Sequence, residues 1–449
     1  MQSFEIDKSD LLRIKTALEG DDAELEKVLK EYHASEIAII FERLPQEAKE
    51  RIINVLPTVM ASDVIAEMDE EHHPEDILIS LDPEKRSEIV EELDYDVATD
   101  IISQLDEDEQ HEILRDIDQE DASNIRNLLN YAEDTAGGLM NTEVIKVNIN
   151  LNKKEALDEI IRQSEEMEEF YTIFVIDDAD TLKGLVSIKN LIKARADARV
   201  SDLVVTDFVY VAADLDQEEV ARLISQYNVT SVPVVDSHMK LLGRITVDDI
   251  IDVMEEENTE DILKISGVSE DEELSGNWQD AIKSRLPWLV INLATAFLAA
   301  SIIRGFDSTV AKLSIISAYM TIIAGMGGNA ATQALAVTVR RISLSDLTDR
   351  QAYNTVIKEF LVGMINGACN GLIVFGVALF YDGNPKLGLV LFLAMTCNLL
   401  IAGITGASIP LILKRVGIDP AVASSIIITT FTDCFGFLLP LWLASKLLL

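Results

Sequence analysis

Cysteine is scarce in this 449-residue chain, and the three that occur, Cys369, Cys397 and Cys434, all lie in apolar segments. None is spaced like a metal-binding pair, so they predict neither a disulfide framework nor a zinc site. The sequence also lacks the phosphate-binding pattern GxxxxGK followed by Ser or Thr, and any catalytic constellation, which argues against an ATP-driven pump and against an enzyme. The acidic start, MQSFEIDKSD, has no basic segment followed by an apolar one, so we expect no cleavable signal peptide and a cytosolic N-terminal region.

Positive charge is also in short supply, because 37 Lys and Arg residues face 78 Asp and Glu residues, for a net charge of −41. Residues 285–449 hold 7 acidic and 11 basic residues, so the excess acid lies entirely in residues 1–284, whose net charge is −45. Such a surface repels nucleic acid and attracts cations. The charge distribution therefore predicts a cation-related function with no nucleic-acid partner.

Long apolar stretches, by contrast, are abundant in the second half of the chain. Four uncharged windows are long enough for a membrane helix, and a fifth is interrupted only by Asp433: residues 286–303, 313–339, 360–381, 387–413 and 420–445. Basic residues concentrate in the loops that lie inside if the N-terminal region is cytoplasmic. We therefore predict a multi-pass protein of the cell (plasma) membrane, in contact with lipid, with its C-terminus outside.

The acidic region begins with a repetitive helical module. Residues 1–130 contain three similar segments with helical spacing of apolar residues, which begin at Leu44, Leu81 and Leu105. Their similarity predicts a small superhelical array.

A second module, residues 131–256, contains a duplication in which residues 174–192 align with residues 233–251 at an offset of 59. Each unit reads as strand, helix, strand, turn, strand, helix. The pattern SVPVVD…LLGRITVDDII resembles a CBS domain, and the resemblance implies a tandem pair. The predicted fold is multidomain, with these parts: an all-α superhelical N-terminal domain (1–130), an α/β tandem CBS pair (131–256), a connecting helix (257–284) and a five-helix α transmembrane pore domain (285–449).

Asp433 is the most informative residue of the predicted membrane helices, because a carboxylate inside the bilayer is costly and commonly functional. A helix places it on one face with small or oxygen-bearing residues: Ala421, Ser425, Thr429 and Gly436. It either faces an ion or pairs with a basic side chain of another helix. No Arg or Lys lies at mid-depth in the other four helices, so the ion-facing interpretation is favoured.

The segment AGMGGNAATQ, residues 324–333, carries three glycines that we expect to interrupt the second membrane helix. Interrupted helices are tolerated where they line a cavity or are buried in protein, and backbone carbonyls and an Asn oxygen would then contact an ion or its waters. The candidate ion ligands here are Ala324, Gly328 and Asn329. Glycine-mediated helix packing is the alternative. Packing is favoured for a second glycine series: Gly363, Gly367 and Gly371.

Residues 246–262 form an acidic run that leads from the second CBS-like unit towards the membrane helices. Like charges one helical turn apart destabilise a helix unless something compensates them, and a divalent cation that bridges two acidic surfaces would do so. The alternative is a solvated acidic face. The candidate regulatory ligands in this run are Asp248, Asp249, Asp252, Glu257, Glu260 and Asp261.

Taken together, the chain resembles the MgtE family of magnesium channels. The motifs that carry the resemblance are EDTAGGLM (133–140), VDDIIDVMEEENTEDI (247–262), AGMGGNAATQ (324–333), GIDPAVAS (417–424) and TDCFGF (432–437). The resemblance implies a homodimer with a pore on its axis that passes hydrated Mg²⁺, with Asp433 as the pore carboxylate. It also implies closure of the pore by cytosolic Mg²⁺.

In that mechanism Mg²⁺ bridges the N-terminal domain, the CBS pair and a connecting "plug" helix. The residues that match the family's acidic motif in the CBS and plug regions are Asp249, Asp252, Glu257, Glu260 and Asp261, and Asp419 matches a loop acid that the plug approaches. Two other functions stay open, a coupled divalent-cation carrier and a membrane-anchored cation sensor. A carrier would require a further ion-binding residue at mid-membrane, and a sensor would require neither Asp433 nor the glycine-rich segment.

Overall fold

The computed structural model describes residues 8–41, 43–69, 72–164, 172–269, 278–344, 347–421 and 424–449. The chain divides into two compact units, Met1–Met254 and Glu255–Leu449. The first unit contains the helical repeats and the duplicated module, and the second contains the apolar helices.

The first unit begins with an array of short helices. The described residues form α1 (Lys8–Leu18), α2 (Asp22–Leu29), α3 (Ala34–Phe41), α4 (Gln46–Val55), α5 (Thr58–Ala66), α6 (Pro74–Ser80), α7 (Pro83–Glu92), α8 (Tyr95–Ser103), α9 (Glu107–Asp116) and α10 (Gln119–Leu128). A buried apolar side chain precedes each helix from α4 onwards, at intervals of 12 or 13 residues: Leu44, Leu56, Met68, Leu81, Leu93, Leu105 and Ile117. The predicted superhelical array is confirmed, with a single helix as its repeat.

Local sequence explains where several of these helices begin. From α7 onwards the buried apolar residue is followed by an aspartate at the helix N-cap, such as Asp82, whose side chain accepts a hydrogen bond from the Lys85 N–H. This satisfies an N–H group that the helix itself leaves unpaired. The repeated pair of a buried aliphatic residue and an aspartate therefore anchors the chain in the core at the point where the next helix starts, and at Asp82 and Asp118 the aspartate side chain also caps that helix.

The duplicated module forms two three-stranded sheets. Its elements are β1 (Lys146–Asn148), α11 (Lys153–Gln163), β2 (Thr172–Ile176), β3 (Leu182–Ser187) and α12 (Ile188–Lys193), then a 3₁₀ turn at Val200–Asp202, then β4 (Val211–Ala212), α13 (Gln217–Tyr227), β5 (Ser231–Val235), β6 (Leu241–Thr246) and α14 (Val247–Ser266). In both sheets the first strand pairs parallel with the second, which pairs antiparallel with the third.

The registers of the two sheets reproduce the duplication seen in the sequence. Ile173 lies opposite Val186 in the first sheet. Val232 lies opposite Ile245 in the second, so the equivalent pairs are separated by the predicted offset of 59. The tandem CBS fold is therefore confirmed.

The second unit contains long apolar helices. They are α15 (Trp278–Gly305), α17 (Ile316–Leu344), α18 (Asp349–Asp382), α19 (Pro385–Val416) and α20 (Ser424–Leu447), with a short helix α16 (Asp307–Lys312) between the first two. Among the described residues, five of these helices are long and apolar enough to cross a membrane, as predicted. The predicted connecting segment, residues 257–284, includes the end of α14 and the start of α15 and lies partly outside the described residues.

Helix α17 runs without interruption through residues 324–333, so the predicted break in this helix is wrong. A glycine inside a helix costs only about 1 kcal/mol relative to alanine, which close packing can offset. Gly327 illustrates this packing, because a Cβ atom built on it would lie 2.2 Å from Nδ2 of Asn398 on α19. The missing side chain makes room for a neighbour and does not break the helix.

The glycine series on α18 packs against α19, as predicted. Gly363, Gly367 and Gly371 are all buried. A Cβ atom on Gly363 would lie 2.5 Å from the Leu399 carbonyl oxygen, and one on Gly367 would lie 2.8 Å from the Thr396 backbone. These glycines therefore allow the two helix backbones to approach closely.

Candidate functional site

Asp433 lies on α20 with its side chain half-buried, and no basic side chain pairs with it among the residues that the structure describes. The interpretation of Asp433 as half of an ion pair therefore gains no support. Thr429, one turn earlier, is exposed, and its hydroxyl donates to the Ser425 carbonyl oxygen at 2.7 Å. The lone pairs of that hydroxyl stay available to an ion's water shell. Ser425, Thr429 and Asp433 form what we call the open face of α20.

The predicted stripe on α20 is shorter than the sequence suggested, because both of its ends are packed. At one end Ala421 precedes the start of α20 and is fully buried. At the other end, a Cβ atom on Gly436 would lie 2.6 Å from the Ala324 Cα atom on α17. Gly436 is therefore a contact between two helices of one chain and not part of the open face.

The three candidate ligands on α17 fall in different surroundings. Asn329 is exposed, and a Cβ atom built on Gly328 would meet no heavy atom within 4 Å. Ala324 is buried with 5% exposure, against Gly436. The role predicted for Ala324 assumed a broken helix with a free carbonyl group, whereas a continuous helix directs that carbonyl to an N–H one turn later. Asn329 and Gly328 are therefore the stronger candidates on α17.

Asn398 is a polar residue of the membrane helices that our sequence analysis did not consider. It is fully buried on α19, and its Nδ2 donates to the Ile323 carbonyl oxygen of α17 at 2.8 Å. Its Oδ1 is buried without a hydrogen-bond partner among the described residues. A lone asparagine inside an uncharged window was a signal that could have identified it.

The last turn of α14 places several predicted regulatory residues beside the loop between α19 and α20, within the second unit. Lys264 Nζ donates to Asp419 Oδ2 at 2.9 Å and also contacts the Glu260 carboxylate. The other oxygen of Asp419 accepts the Ala421 N–H at 2.8 Å. We call Glu260, Asp261, Lys264 and Asp419 the loop cluster.

Asp261 completes the loop cluster. Its Oδ2 accepts a hydrogen bond from the Ser343 hydroxyl of α17 at 3.0 Å. Burial raises the pKa of Asp261, and the negative charge of Asp419 raises it further, while the Ser343 hydrogen bond and the charge of Arg340 act in the opposite direction. The position is therefore unfavourable for an additional negative charge, and a cation near it would relieve that cost.

A second group of acids meets in the first unit, between α8 of the helical array and the start of α14. Asp249 accepts hydrogen bonds from the Thr246 N–H at 2.9 Å and from its hydroxyl at 2.6 Å. Burial raises the pKa of Asp249, and it raises the pKa of Asp96 on α8 well above its ordinary value. The charges of Asp249 and Asp94 raise the Asp96 pKa further. We call Asp94, Asp96 and Asp249 the array cluster.

Asp94 and Asp96 were missed in the sequence because aspartates recur throughout the helical array. Asp94 follows a buried leucine like the other N-cap acids, and only the fold shows that Asp96, two residues later, is 9% exposed. Asn141 supports it by donating from Nδ2 to Asp96 Oδ1 at 3.4 Å. The acidic run of the sequence thus has a partner surface on the helical array.

The remaining acidic candidates on α14 lie at its surface. Asp248 is exposed beside Asp249 and contributes to the raised pKa of that neighbour. Asp252 is exposed and Glu257 is half-buried. Their regulatory roles stay predictions. Within the described ranges, no group of three or more His, Cys, Asp or Glu side chains is arranged to hold a metal ion directly.

Acid pairs of this kind suit a cation that keeps much of its own water, as Mg²⁺ does. Five apolar helices, an open helix face with a carboxylate that has no basic partner among the described residues, and a duplicated α/β module together fit a cation-transporting membrane protein with a soluble part.

Comparison with known families identifies this class more closely. Profiles described as "Divalent cation transporter" (MgtE), "MgtE intracellular N domain" and "CBS domain" match residues 320–443, 32–134, and 136–197 with 200–256. The chain belongs to the MgtE family of magnesium transporters, whose transported substrate is Mg²⁺.

Relatives resemble the chain over most of its length. The magnesium transporter MgtE of Thermus thermophilus is 33% identical over 445 residues, which cover 96% of each chain. The MgtE of Enterococcus faecalis is 36% identical over 72% of each chain, and that of Bacillus subtilis is 30% identical over 97% of this chain and 96% of its own.

Two solved structures resemble the soluble part. The cytosolic domain of the Mg²⁺ channel MgtE in complex with ATP has a TM-score of 0.52 and 33% identity, and covers 54% of this chain and 99% of its own. The soluble part of a magnesium transporter has a TM-score of 0.51 and 27% identity, and covers 56% of this chain and 98% of its own.

Proposed function

We propose that this protein is a Mg²⁺ channel whose ion pathway follows the open face of α20. The observation that carries the proposal is Asp433, a half-buried carboxylate with no cationic partner among the described residues. A carboxylate in that position requires a compensating group, which the described residues do not supply, and a passing cation would do so. Asn329 and the space beside Gly328 would extend the polar surface along α17.

The pathway suits hydrated Mg²⁺. This ion loses water reluctantly and is held through one or two carboxylates with several waters retained. The Asp433 carboxylate, the Thr429 hydroxyl and the exposed Asn329 amide can contact the waters of such an ion without replacing them.

A homodimer would place two copies of Asp433 around one axis and so complete the site. Only 6% of the apolar window of α15 is buried within a single chain, which leaves a large surface for a second copy or for lipid. The excess of basic residues in alternate loops favours a cytoplasmic N-terminal region and an outside C-terminus in the plasma membrane.

Cytosolic Mg²⁺ would close the channel through the two acidic clusters. Both clusters bring carboxylates together in positions where burial and mutual repulsion oppose their ionised forms. A divalent cation bound there favours the conformation in which the surfaces meet, and it shifts gating by its differential affinity for that conformation. When Mg²⁺ is scarce, repulsion between the acids weakens both contacts and favours the open pore.

Mg²⁺ flux into liposomes that hold the purified chain tests the proposal, with Mg²⁺ on the side of the soluble region varied. Asp433→Asn should reduce flux to the level of empty liposomes, whereas the control Asp349→Asn changes an 89% exposed acid at the start of α18 and should retain it. Wild-type flux should fall as Mg²⁺ rises on that side. Normal flux in Asp433→Asn would contradict the pathway, and flux that requires a proton gradient would indicate a coupled carrier.

A further inference from the structure

The loop cluster contains a cation of its own. Lys264 lies in the last turn of α14 with its side chain only 12% exposed. Its ammonium group lies 2.9 Å from Asp419 and in contact with Glu260, two of the residues predicted to bind regulatory Mg²⁺.

The surroundings of Lys264 fix it in this position. Asp419 is held by the Ala421 N–H, so its second oxygen is directed to Lys264 and not free to rotate away. The next residue, Ile265, packs against a buried apolar cluster that includes Ala421 and Val339. The last turn of α14 is therefore seated on the membrane helices by one apolar contact and one charged contact.

We propose that Lys264 is a built-in counter-ion that partly replaces Mg²⁺ in the loop cluster and thereby sets the Mg²⁺ level at which the channel closes. The inference deepens the proposed gating by cytosolic Mg²⁺ and rests on it. An ammonium group on a flexible stem can neutralise a carboxylate as a compact point charge. It keeps α14 seated when Mg²⁺ is scarce, and it competes with Mg²⁺ for oxygen atoms of Asp419 and Glu260.

The charges in the loop cluster allow Lys264 both to keep α14 seated and to compete with Mg²⁺. Three carboxylates face the cationic groups of Lys264 and of Arg340, which is close enough to lower the Asp261 pKa. Among these described groups the acids are in excess, so the cluster still attracts a divalent cation, but less strongly than it would without Lys264.

Hydrogen–deuterium exchange of the full chain in lipid nanodiscs tests this without any measurement of transport. The variants are Lys264→Gln, the charge-conserving Lys264→Arg, and the control Arg415→Gln, which removes one positive charge from a 76% exposed side chain paired with Asp349. In the presence of EDTA, Lys264→Gln should exchange amides of residues 255–266 roughly tenfold faster than wild type, because the loss of one partner leaves partly buried carboxylates uncompensated. Mg²⁺ should restore slow exchange in this variant, and Na⁺ at equal ionic strength should not.

The outcomes distinguish the counter-ion role of Lys264 from the conduction of Mg²⁺. Lys264→Arg and Arg415→Gln should both exchange like wild type in EDTA. Unchanged exchange in Lys264→Gln, or fast exchange that Mg²⁺ does not reverse, would overturn the counter-ion role even if the protein conducts Mg²⁺. In the flux assay, Lys264→Gln alone among these variants should show raised flux at low Mg²⁺ and a steeper closure as Mg²⁺ increases. A protein that conducts no Mg²⁺ would refute the proposed function, while the exchange result would still decide whether Lys264 substitutes for the ion.

Discussion

The two units of this chain differ in how many large apolar side chains they expose. In the first unit, Phe41 and Ile53 are fully buried. In the second, Phe297 is 66% exposed and Leu372 is 62% exposed, whereas Asn398 is fully buried. Apolar side chains thus fill the interior of the first unit, whereas the second unit buries some of them and presents many others on its exterior.

The difference follows from the solvent that each unit is built for. In water, the burial of large apolar side chains is the main favourable contribution to folding. Between membrane helices that driving force is absent, because lipid tails are as apolar as leucine, and close backbone packing and buried polar contacts replace it. In the second unit, the glycines of α18 and Asn398 of α19 add close backbone packing and a buried polar contact to its buried apolar clusters.

Removal of a large buried side chain from the first unit should have the largest effect on stability. Phe41→Ala should lower the free energy of unfolding by about 3–5 kcal/mol, since it removes a fully buried ring and leaves a cavity. Urea unfolding of the soluble fragment 1–266 measures this. Leu12→Ala, at a side chain that is 66% exposed, should change the value by less than about 1 kcal/mol. Equal losses would show that α3 does not contribute the core that its burial implies.

In the second unit, the addition of a single methyl group should be destabilising. Gly363→Ala would place a Cβ atom 2.5 Å from the Leu399 carbonyl oxygen, so α18 and α19 must move apart. The expected loss is about 1–3 kcal/mol, seen as a lower thermal unfolding temperature in detergent. Gly376→Ala, on the same helix but with nothing within 4 Å of its Cβ, should be neutral or slightly stabilising. Destabilisation of similar size at both positions would contradict a backbone contact specific to Gly363.

Sequence patterns predicted the parts of the fold that depend on local regularity. The apolar windows, the duplication at an offset of 59 and the glycine series on α18 each have a period or length that only one kind of structure satisfies. The single-helix repeat of the array was missed because similarity between longer segments, such as those from Leu81 and Leu105, concealed the 12-residue spacing of their buried leucines.

Patterns with two physical interpretations were less informative. The glycines at Gly325, Gly327 and Gly328 permit both an interrupted helix and a tightly packed one, and the choice depends on Asn398, which is more than 60 residues away. In the same way, an acidic run does not reveal which acids face it. The proximity of Asp96 to Asp249, and of Lys264 to Asp419, arises only from tertiary structure.

The smallest expected effect is on the stability of the first unit, and it comes from a buried charge and not from packing. Burial and the charges of Asp249 and Asp94 raise the pKa of Asp96 above its unfolded value of about 4, so the native state binds more protons than the unfolded state above that pH. The contribution of Asp96 is therefore full below pH 4 and is lost as pH rises towards its native pKa.

Asp96→Asn should remove this loss of stability at rising pH. Without Mg²⁺ at pH 7 to 8, the variant of the soluble fragment should be more stable than wild type by roughly 1 kcal/mol or more, since each unit of pKa shift corresponds to about 1.4 kcal/mol. It should also gain less stability from added Mg²⁺, because one carboxylate that the ion would compensate is absent. Thermal unfolding across pH, with and without Mg²⁺, measures both effects, and Asp108→Asn, at an exposed acid of α9, makes the same change in charge away from the array cluster. If the two variants respond alike to pH and Mg²⁺, general charge repulsion in the acidic unit accounts for the effect and the array cluster has no particular role.

If only Asp96→Asn differs, the stability of the soluble unit depends on electrostatic compensation at one contact. In the membrane unit, by contrast, the fit of helix backbones dominates.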